Sequence, residues 1–234
     1  MKNRNYFWMA VLLMATLVSC NVTADVTLHE DKTQSIKIDF DGKEAAKIFK
    51  DEKKKKKKDR DDLPKEWTSL YEMNLKKDKK ERITAPDTIA VMKKIYVKGG
   101  YDKDEEMTDI FVKTDKLTNK ELSFVFKTND LPVLDLFSKN EWDGKTLKIN
   151  TSVLNDMLIK INQDKECGFD WMIFTKNYRV TFHFNSEIKK IEGKHDLVRK
   201  VNNNTVEIKF NVDDVRKKVF KFKNDDSFII ITTK

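Results

Sequence analysis

The stretch 26-VTLHEDKTQSIKIDFDG-42 sets the fold class. Val26 and Leu28 alternate with polar residues, the segment His29–Gln34 is polar, and Ile36, Ile38 and Phe40 then alternate again. Apolar residues at every second position lie on one face of a strand, and a polar break between two such runs reads as a hairpin. Asp41-Gly42 closes the second run, and a helix with Ala45, Ile48 and Phe49 on one face is expected after it. Strands that alternate, rather than running continuously apolar, favour antiparallel pairing with one covered face.

Moving outward, the same logic finds a strand at 107-MTDIFVKT-114 and several in the last third, at "FDWMIFT", "RVTFHF", "DLVRKV", "TVEIKF" and "SFIIITT". Asn202-Asn203-Asn204 suits a tight turn between two of them. The strongest hairpin signal is 141-EWDGKTLKIN-150, where Asp143-Gly144 suits a type I′ turn. Helices are expected from Thr84-Pro86, with Ile89, Met92, Ile95 and Tyr96 facing inward and Gly99-Gly100 as the stop. Another should start at the capping box Thr118–Glu121 and bury Leu122, Val125 and Phe126. A third, capped by Thr151 or Ser152, carries the stripe Val153, Leu154, Met157, Leu158 and Ile161, and a short one is expected at 212–219. The expected fold is α+β: antiparallel sheet with helices packed on one face, in a body of residues 26–234 formed as one domain or two close-packed lobes dividing near 117–135.

The N-terminus points to export. Lys2 and Arg4 precede an uncharged stretch of thirteen residues, Tyr6 to Val18. A helix needs about 20 apolar residues to span a bilayer, so this stretch suits the core of a cleaved signal. Residues 1–19 are accordingly read as a lipoprotein signal peptide and 20–25 as a lipidated N-terminus and tether. Leu17-Val18-Ser19-Cys20 resembles the lipobox of bacterial lipoproteins. That resemblance implies a diacylglycerol on the Cys20 thiol, cleavage before it and acylation of the new amine. The bland alternative is an ordinary secretory signal or an uncleaved anchor. Two or more acyl chains hold a protein stably on a bilayer, at about 0.8 kcal/mol per buried methylene.

Removing residues 1–19 takes away Lys2 and Arg4 and no acid, so the net charge falls from +8 to +6. Lysines number 41 and arginines 6, which argues against dedicated phosphate recognition, where the guanidinium fork is favoured. The basic run 51-DEKKKKKKDRDD-62 carries seven positive and five negative charges and no aromatic residue, so it reads as a solvated segment and no nucleic-acid partner is expected. With Cys20 acylated, Cys167 has no disulfide partner.

No cofactor, metal or catalytic site is expected. His29, His183 and His195 lack ligand spacing. The calcium-loop likeness around Asp39, Asp41 and Gly42 puts Lys37 and Ile48 where carboxylates are needed. No serine sits in a G-x-S-x-G turn, and the six glycines follow no phosphate-binding pattern. Aromatic residues are the remaining handle: Trp67, Tyr71, Trp142 and Trp171 are candidates for a ligand groove, with core packing as the competing role.

The chain also resembles a group of Bacteroidota envelope lipoproteins in "LPKEWTSLY" (63–71), "MKKIYVKGGY" (92–101), "WDGKTLKINTS" (142–152) and the segment 179–210. No function travels with that resemblance. Segment 179–210 is similar in rhythm to the LppM-type lipoprotein domain, a type associated with lipid binding, although Asn185 stands where that pattern carries proline. "DTI" (87–89) matches the O-glycosylation pattern of the phylum, with Thr88 as acceptor. Only Asp25 in "NVTAD" resembles the acidic stretch of surface-exported members, which favours the outer membrane facing the periplasm over the cell surface. The expected function is a non-enzymatic envelope lipoprotein binding a lipid, glycan or protein partner. The alternatives are an accessory interaction lipoprotein without a small-molecule pocket and, third, an enzyme with an unrecognised site.

Overall fold

Period-two alternation in four of its longer segments builds one large eight-stranded sheet with a single apolar face. The computed structural model describes residues 21–42, 63–126, 136–137, 139–163, 177–211, 214 and 222–234. Strands β1 (Asn21–Leu28), β2 (Gln34–Asp41), β3 (Thr68–Ser69), β4 (Ile95–Tyr101), β5 (Met107–Thr114), β8 (Asn177–Phe184), β10 (Val198–Asn202) and β11 (Thr205–Asn211) form this sheet in the order β10-β11-β8-β1-β2-β5-β4-β3. A four-stranded sheet, β6-β7-β12-β9, is built from β6 (Glu141–Trp142), β7 (Thr146–Asn150), β9 (Ile188–Glu192) and β12 (Phe228–Thr233). Helices α1 (Leu70–Lys76), α2 (Pro86–Met92), α3 (Asn119–Phe126) and α4 (Ser152–Gln163) complete the described elements. The fold is α+β.

Register aligns the apolar residues into rows across the large sheet. Val26 faces Ile36 on one side and Phe182 on the other, and Phe182 faces Val206. Ala24 similarly lies between Ile38 and Val180. All of these are buried, and they form one core with Leu70, Met92, Leu122 and Leu154 from the four helices. The small sheet contributes Leu147, Ile149, Ile229 and Ile231 to the same core.

Several expectations change. The sheet is mixed, because β1 and β8 pair in parallel from Asn21↔Asn177 to Leu28↔Phe184. Both flanking strands bury one face, so the parallel pair keeps the alternation that antiparallel strands show. Residues 21–25 are the first five residues of β1, so they form no tether. A division near 117–135 does not separate the sheets, since β8, β10 and β11 return to the sheet of β1–β5. Helix α2 ends at Met92, and Ile95, Tyr96, Gly99 and Gly100 belong to β4. Its inward residues are Thr88, Val91 and Met92. At Gly100 a side chain would meet Asp109 Cβ at 2.9 Å and the Phe111 ring, so close approach of β5 explains the glycine there.

The Asp143-Gly144 hairpin exists, but only Gly144 takes a positive φ, of 102°. Trp142 pairs with Leu147, and the Asp143 carboxylate accepts from the Lys145 and Thr146 N–H groups at 2.9 and 2.7 Å. That pair of bonds makes an Asx-type turn in place of type I′. Strand β9 was not expected. The helices expected around Ala45–Phe49 and at 212–219, and the strand "FDWMIFT", lie outside the described residues, as does the Lys53–Lys58 run.

The two sheets are tied by a half-buried polar chain. Gln34 and Leu117 exchange two backbone bonds of 2.8 Å, the Gln34 side-chain amide donates to Asn119 Oδ1 at 2.8 Å, and Asn119 Nδ2 donates to the Trp142 carbonyl at 2.9 Å. The Trp142 ring packs edge-on against Phe184 at 5.9 Å and its Nε1–H donates to the His29 carbonyl at 2.6 Å.

Candidate functional site

Residues between the core positions of β1–β5, β8 and β11 line the outer face of the large sheet. Across most of its width this face is polar: Thr23, Asp25, Thr27, Lys37, Asp39, Arg179, Thr181 and His183 occupy it. Aromatic rings gather at the β3–β5 side. Phe111 pairs with Lys98 and Asp39, and Lys113 pairs with Tyr96 and Lys37. Trp67 comes just before β3, and Lys98 and Lys113 hold their ammonium groups over its ring at 5.8 and 4.6 Å. Lys98 also lies 5.6 Å from the Phe111 ring, and Lys113 5.4 Å from Tyr96. The six side chains Trp67, Tyr96, Phe111, Lys37, Lys98 and Lys113 thus form a continuous strip.

Local structure positions the strip. The capping box of α1 fixes the chain just after Trp67: Glu72 N–H donates to Ser69 Oγ at 3.1 Å, and Ser69 N–H donates to Glu72 Oε2 at 2.8 Å. The Ser69 N–H and the Ser69 hydroxyl, each donating to Glu72 Oε2 at 2.8 Å, hold the Glu72 carboxyl below its ordinary range. Tyr96 Oη donates to Asp115 Oδ2 at 3.2 Å. Burial first, and Asp115 second, push the Tyr96 phenol up, so it stays a neutral donor. Trp67, Tyr96, Phe111, Lys98 and Lys113 are all half-buried and Lys37 is exposed, so the strip offers ring faces and ammonium groups to solvent together. An exposed cation–π contact is worth about 0.5–1 kcal/mol, so a ligand can displace these lysines cheaply and recover the charge contact through its own anionic groups.

The four candidate aromatic residues do not form one groove. Trp67 belongs to the strip. Tyr71 packs against the core from α1 and carries Lys93 over its ring at 4.9 Å. Trp142 is 3% exposed between the two sheets, and Trp171 lies outside the described residues. Tyr96 was missed because helical spacing put it on the inner face of the helix expected from Thr84-Pro86, and Phe111 because an aromatic residue inside a strand pattern reads as packing. The signal for them was the alternation itself: Val97 and Ile110 face the core, so Tyr96 and Phe111 must face away. Thr88 is 1% exposed in α2, out of reach of a transferase acting on the folded body. Cys20 and Cys167 lie outside the described residues.

Two histidine pairs also occupy the outer face and its edge. His183 Nε2 lies 3.1 Å from Asp25 Oδ1, with both side chains nearly half exposed. His29 Nε2 lies 2.9 Å from Ser35 Oγ, and burial, then Lys116, lower the His29 pKa. His183 and Asp25 stand on the outer face of the large sheet, and His29 lies in the β1–β2 turn against Ser35 of β2. The third histidine, His195, is buried, with Nδ1 accepting from Leu197 N–H at 3.2 Å and Nε2 lying 3.1 Å from Asn155 Oδ1. Its role is to hold the 194–197 loop. Among the described residues no group of three or more His, Cys, Asp or Glu is placed to hold a metal ion, and no helix is long and apolar enough to cross a membrane.

No family model and no curated protein matches this chain. Among solved structures, it is similar to the folded domain of the Mycobacterium tuberculosis LppM protein, determined by NMR, with a TM-score of 0.39 and 14% identity over 92% of this chain and 88% of that one.

Proposed function

We propose that this chain is a non-enzymatic, lipid-anchored protein of the cell envelope that binds an acidic glycan on the Trp67 strip. The anchor is Cys20, acylated within Leu17-Val18-Ser19-Cys20, and the body faces the periplasm from the outer membrane. The observation that carries the binding reading is the sharing of one open face by Trp67, Tyr96 and Phe111 with Lys37, Lys98 and Lys113. Sugar rings stack on aromatic faces, and uronate carboxylates pair with lysine ammonium groups, whose point charge needs no bidentate geometry. Such a partner uses both halves of the strip. A neutral glycan uses only the rings.

The test is a titration of the mature body with polygalacturonate and, in parallel, with neutral dextran, followed by calorimetry at low salt. Binding of the acidic polymer should weaken at least tenfold in Trp67→Ala and in Lys98→Ser/Lys113→Ser, and should fall with added salt. Equal affinity for dextran, or full binding by both variants, refutes the strip as the site. The anchor is tested separately: Cys20→Ala should take up no labelled fatty acid, and persistent labelling would place the lipid elsewhere.

A further inference from the structure

Strand β1 begins at Asn21, one residue after Cys20. Consecutive Cα atoms are about 3.8 Å apart, so a lipid on Cys20 is joined to the fold through a single residue. Asn21 is already inside the sheet: it pairs with Asp41 of β2 and with Asn177 of β8. Moreover β1 is the fourth of eight strands from the β10 edge, so the attachment point lies under the middle of the sheet. An anchor at an edge strand or on a long tether would let the body tip or tumble. One fused to a central strand constrains it.

The described residues at the Asn21 end of the sheet form a row of polar side chains. Asn177 Nδ2 donates to Asn21 Oδ1 at 2.7 Å, and Asn211 Nδ2 donates to Asn177 Oδ1 at 2.8 Å, giving a ladder of amides across three strands. Asp41 and Asp109 extend the same row on the other side. The β4–β5 turn, closed by Asp102 N–H donating to the Glu106 carbonyl at 2.9 Å, hangs from this end with Lys103 at its tip. At the opposite end are the β1–β2 turn and the β10–β11 turn around Asn203, about 23 Å away for seven residues of strand rise.

We infer that the lipidated protein stands upright on the bilayer, with the Asn21–Asn177–Asn211 end of the large sheet against the lipid headgroups. This rests on acylation of Cys20. The described residues of this end present amides and carboxylates, which suit the headgroup layer and not the hydrocarbon. The lipid supplies the hold and the fold supplies the orientation. Phe111 and Lys98 lie two residues up from this end, and Tyr96, Lys113 and Lys37 four residues up. The strip therefore faces sideways about 7–13 Å above the headgroups.

The test uses full-length protein processed in its bacterial host, carrying Cys167→Ser and either Lys103→Cys or Asn203→Cys. Each new thiol is labelled with a small fluorophore, and the protein is reconstituted into phosphatidylcholine vesicles doped with a headgroup-nitroxide lipid. Intact mass first establishes whether Cys20 is acylated. With the lipid present, quenching at position 103 should exceed that at 203 at least twofold. A ten-residue Gly/Ser spacer inserted between Cys20 and Asn21 should erase that difference while leaving the acyl mass unchanged. Equal or reversed quenching, or a difference that survives the spacer, overturns the orientation with the anchor intact. An unacylated Cys20 overturns both the anchor and the orientation.

Discussion

Replacing Trp142 by alanine tests whether this ring is a tie between the sheets or part of a ligand surface. The side chain is 3% exposed, touches Phe184 edge-on and donates Nε1–H to the His29 carbonyl. Truncating a buried tryptophan costs about 3–5 kcal/mol, including the cavity. The His29 carbonyl also loses its indole donor, which costs about 1–3 kcal/mol where water cannot replace it. The two terms overlap, because the cavity that removes packing also admits water, so about 4 kcal/mol is expected in total. At a urea m-value of about 2 kcal/mol/M, the midpoint should fall by about 2 M. Trp142→Phe keeps the contact with Phe184 and loses the donor, and should cost about half as much. Trp67→Ala, on the half-buried strip, should cost about 1 kcal/mol or less. Urea melts of the three variants, followed by far-UV circular dichroism, decide the matter. A loss below about 1 kcal/mol for Trp142→Ala, or parity between Trp142 and Trp67, would refute the placement of Trp142 in the core.

Asn74 is buried and bridges to Ile83 twice, donating to its carbonyl and accepting from its N–H, both at 2.9 Å. Asn74→Ala should cost about 2 kcal/mol and speed proteolytic nicking between residues 77 and 85, read by timed digestion and mass spectrometry. Gly193 has φ +81° and its missing Cβ would collide with the Phe228 carbonyl; Gly193→Ala should lose more than about 1 kcal/mol in the same melts. Burial lowers the His195 pKa despite the opposing pull of Asp196, Asp225 and Asp226. The unfolded chain then takes up the proton first, near pH 6.5, so stability from this group is complete above that pH and is lost as pH falls below it. Urea midpoints from pH 7.5 to 5 should drop more steeply for the native protein than for His195→Gln; parallel curves would rule His195 out as the source.

The alternating strands were legible because their signal is local. Val26, Leu28, Ile36, Ile38 and Phe40 declare β1 and β2 through period two alone, and the buried positions of the structure are those residues. The capping box Thr118–Glu121 was equally local, and the reciprocal bonds are present, Glu121 N–H to Thr118 Oγ1 at 3.2 Å and Thr118 N–H to Glu121 Oε2 at 2.8 Å. Segment 92–101 failed for a local reason too. Met92, Ile95 and Tyr96 satisfy helical spacing, whereas Ile95 and Val97 satisfy the strand period, and pairing of β4 with β5 decided between them.

By itself the sequence determined the α+β class, most of the strands and the polar character of one sheet face. Each is written in residues within a few positions of one another. Only the tertiary structure decided that β1 pairs in parallel with β8, 156 positions away at Asn21↔Asn177, and that Trp142 is interior while Trp67 is not. It also decided that Trp67, Tyr96 and Phe111 share a face with three lysines. Strand pairing between distant segments depends on which apolar faces bury one another best, and that choice is made by the whole core at once, with no mark left in any short stretch of chain.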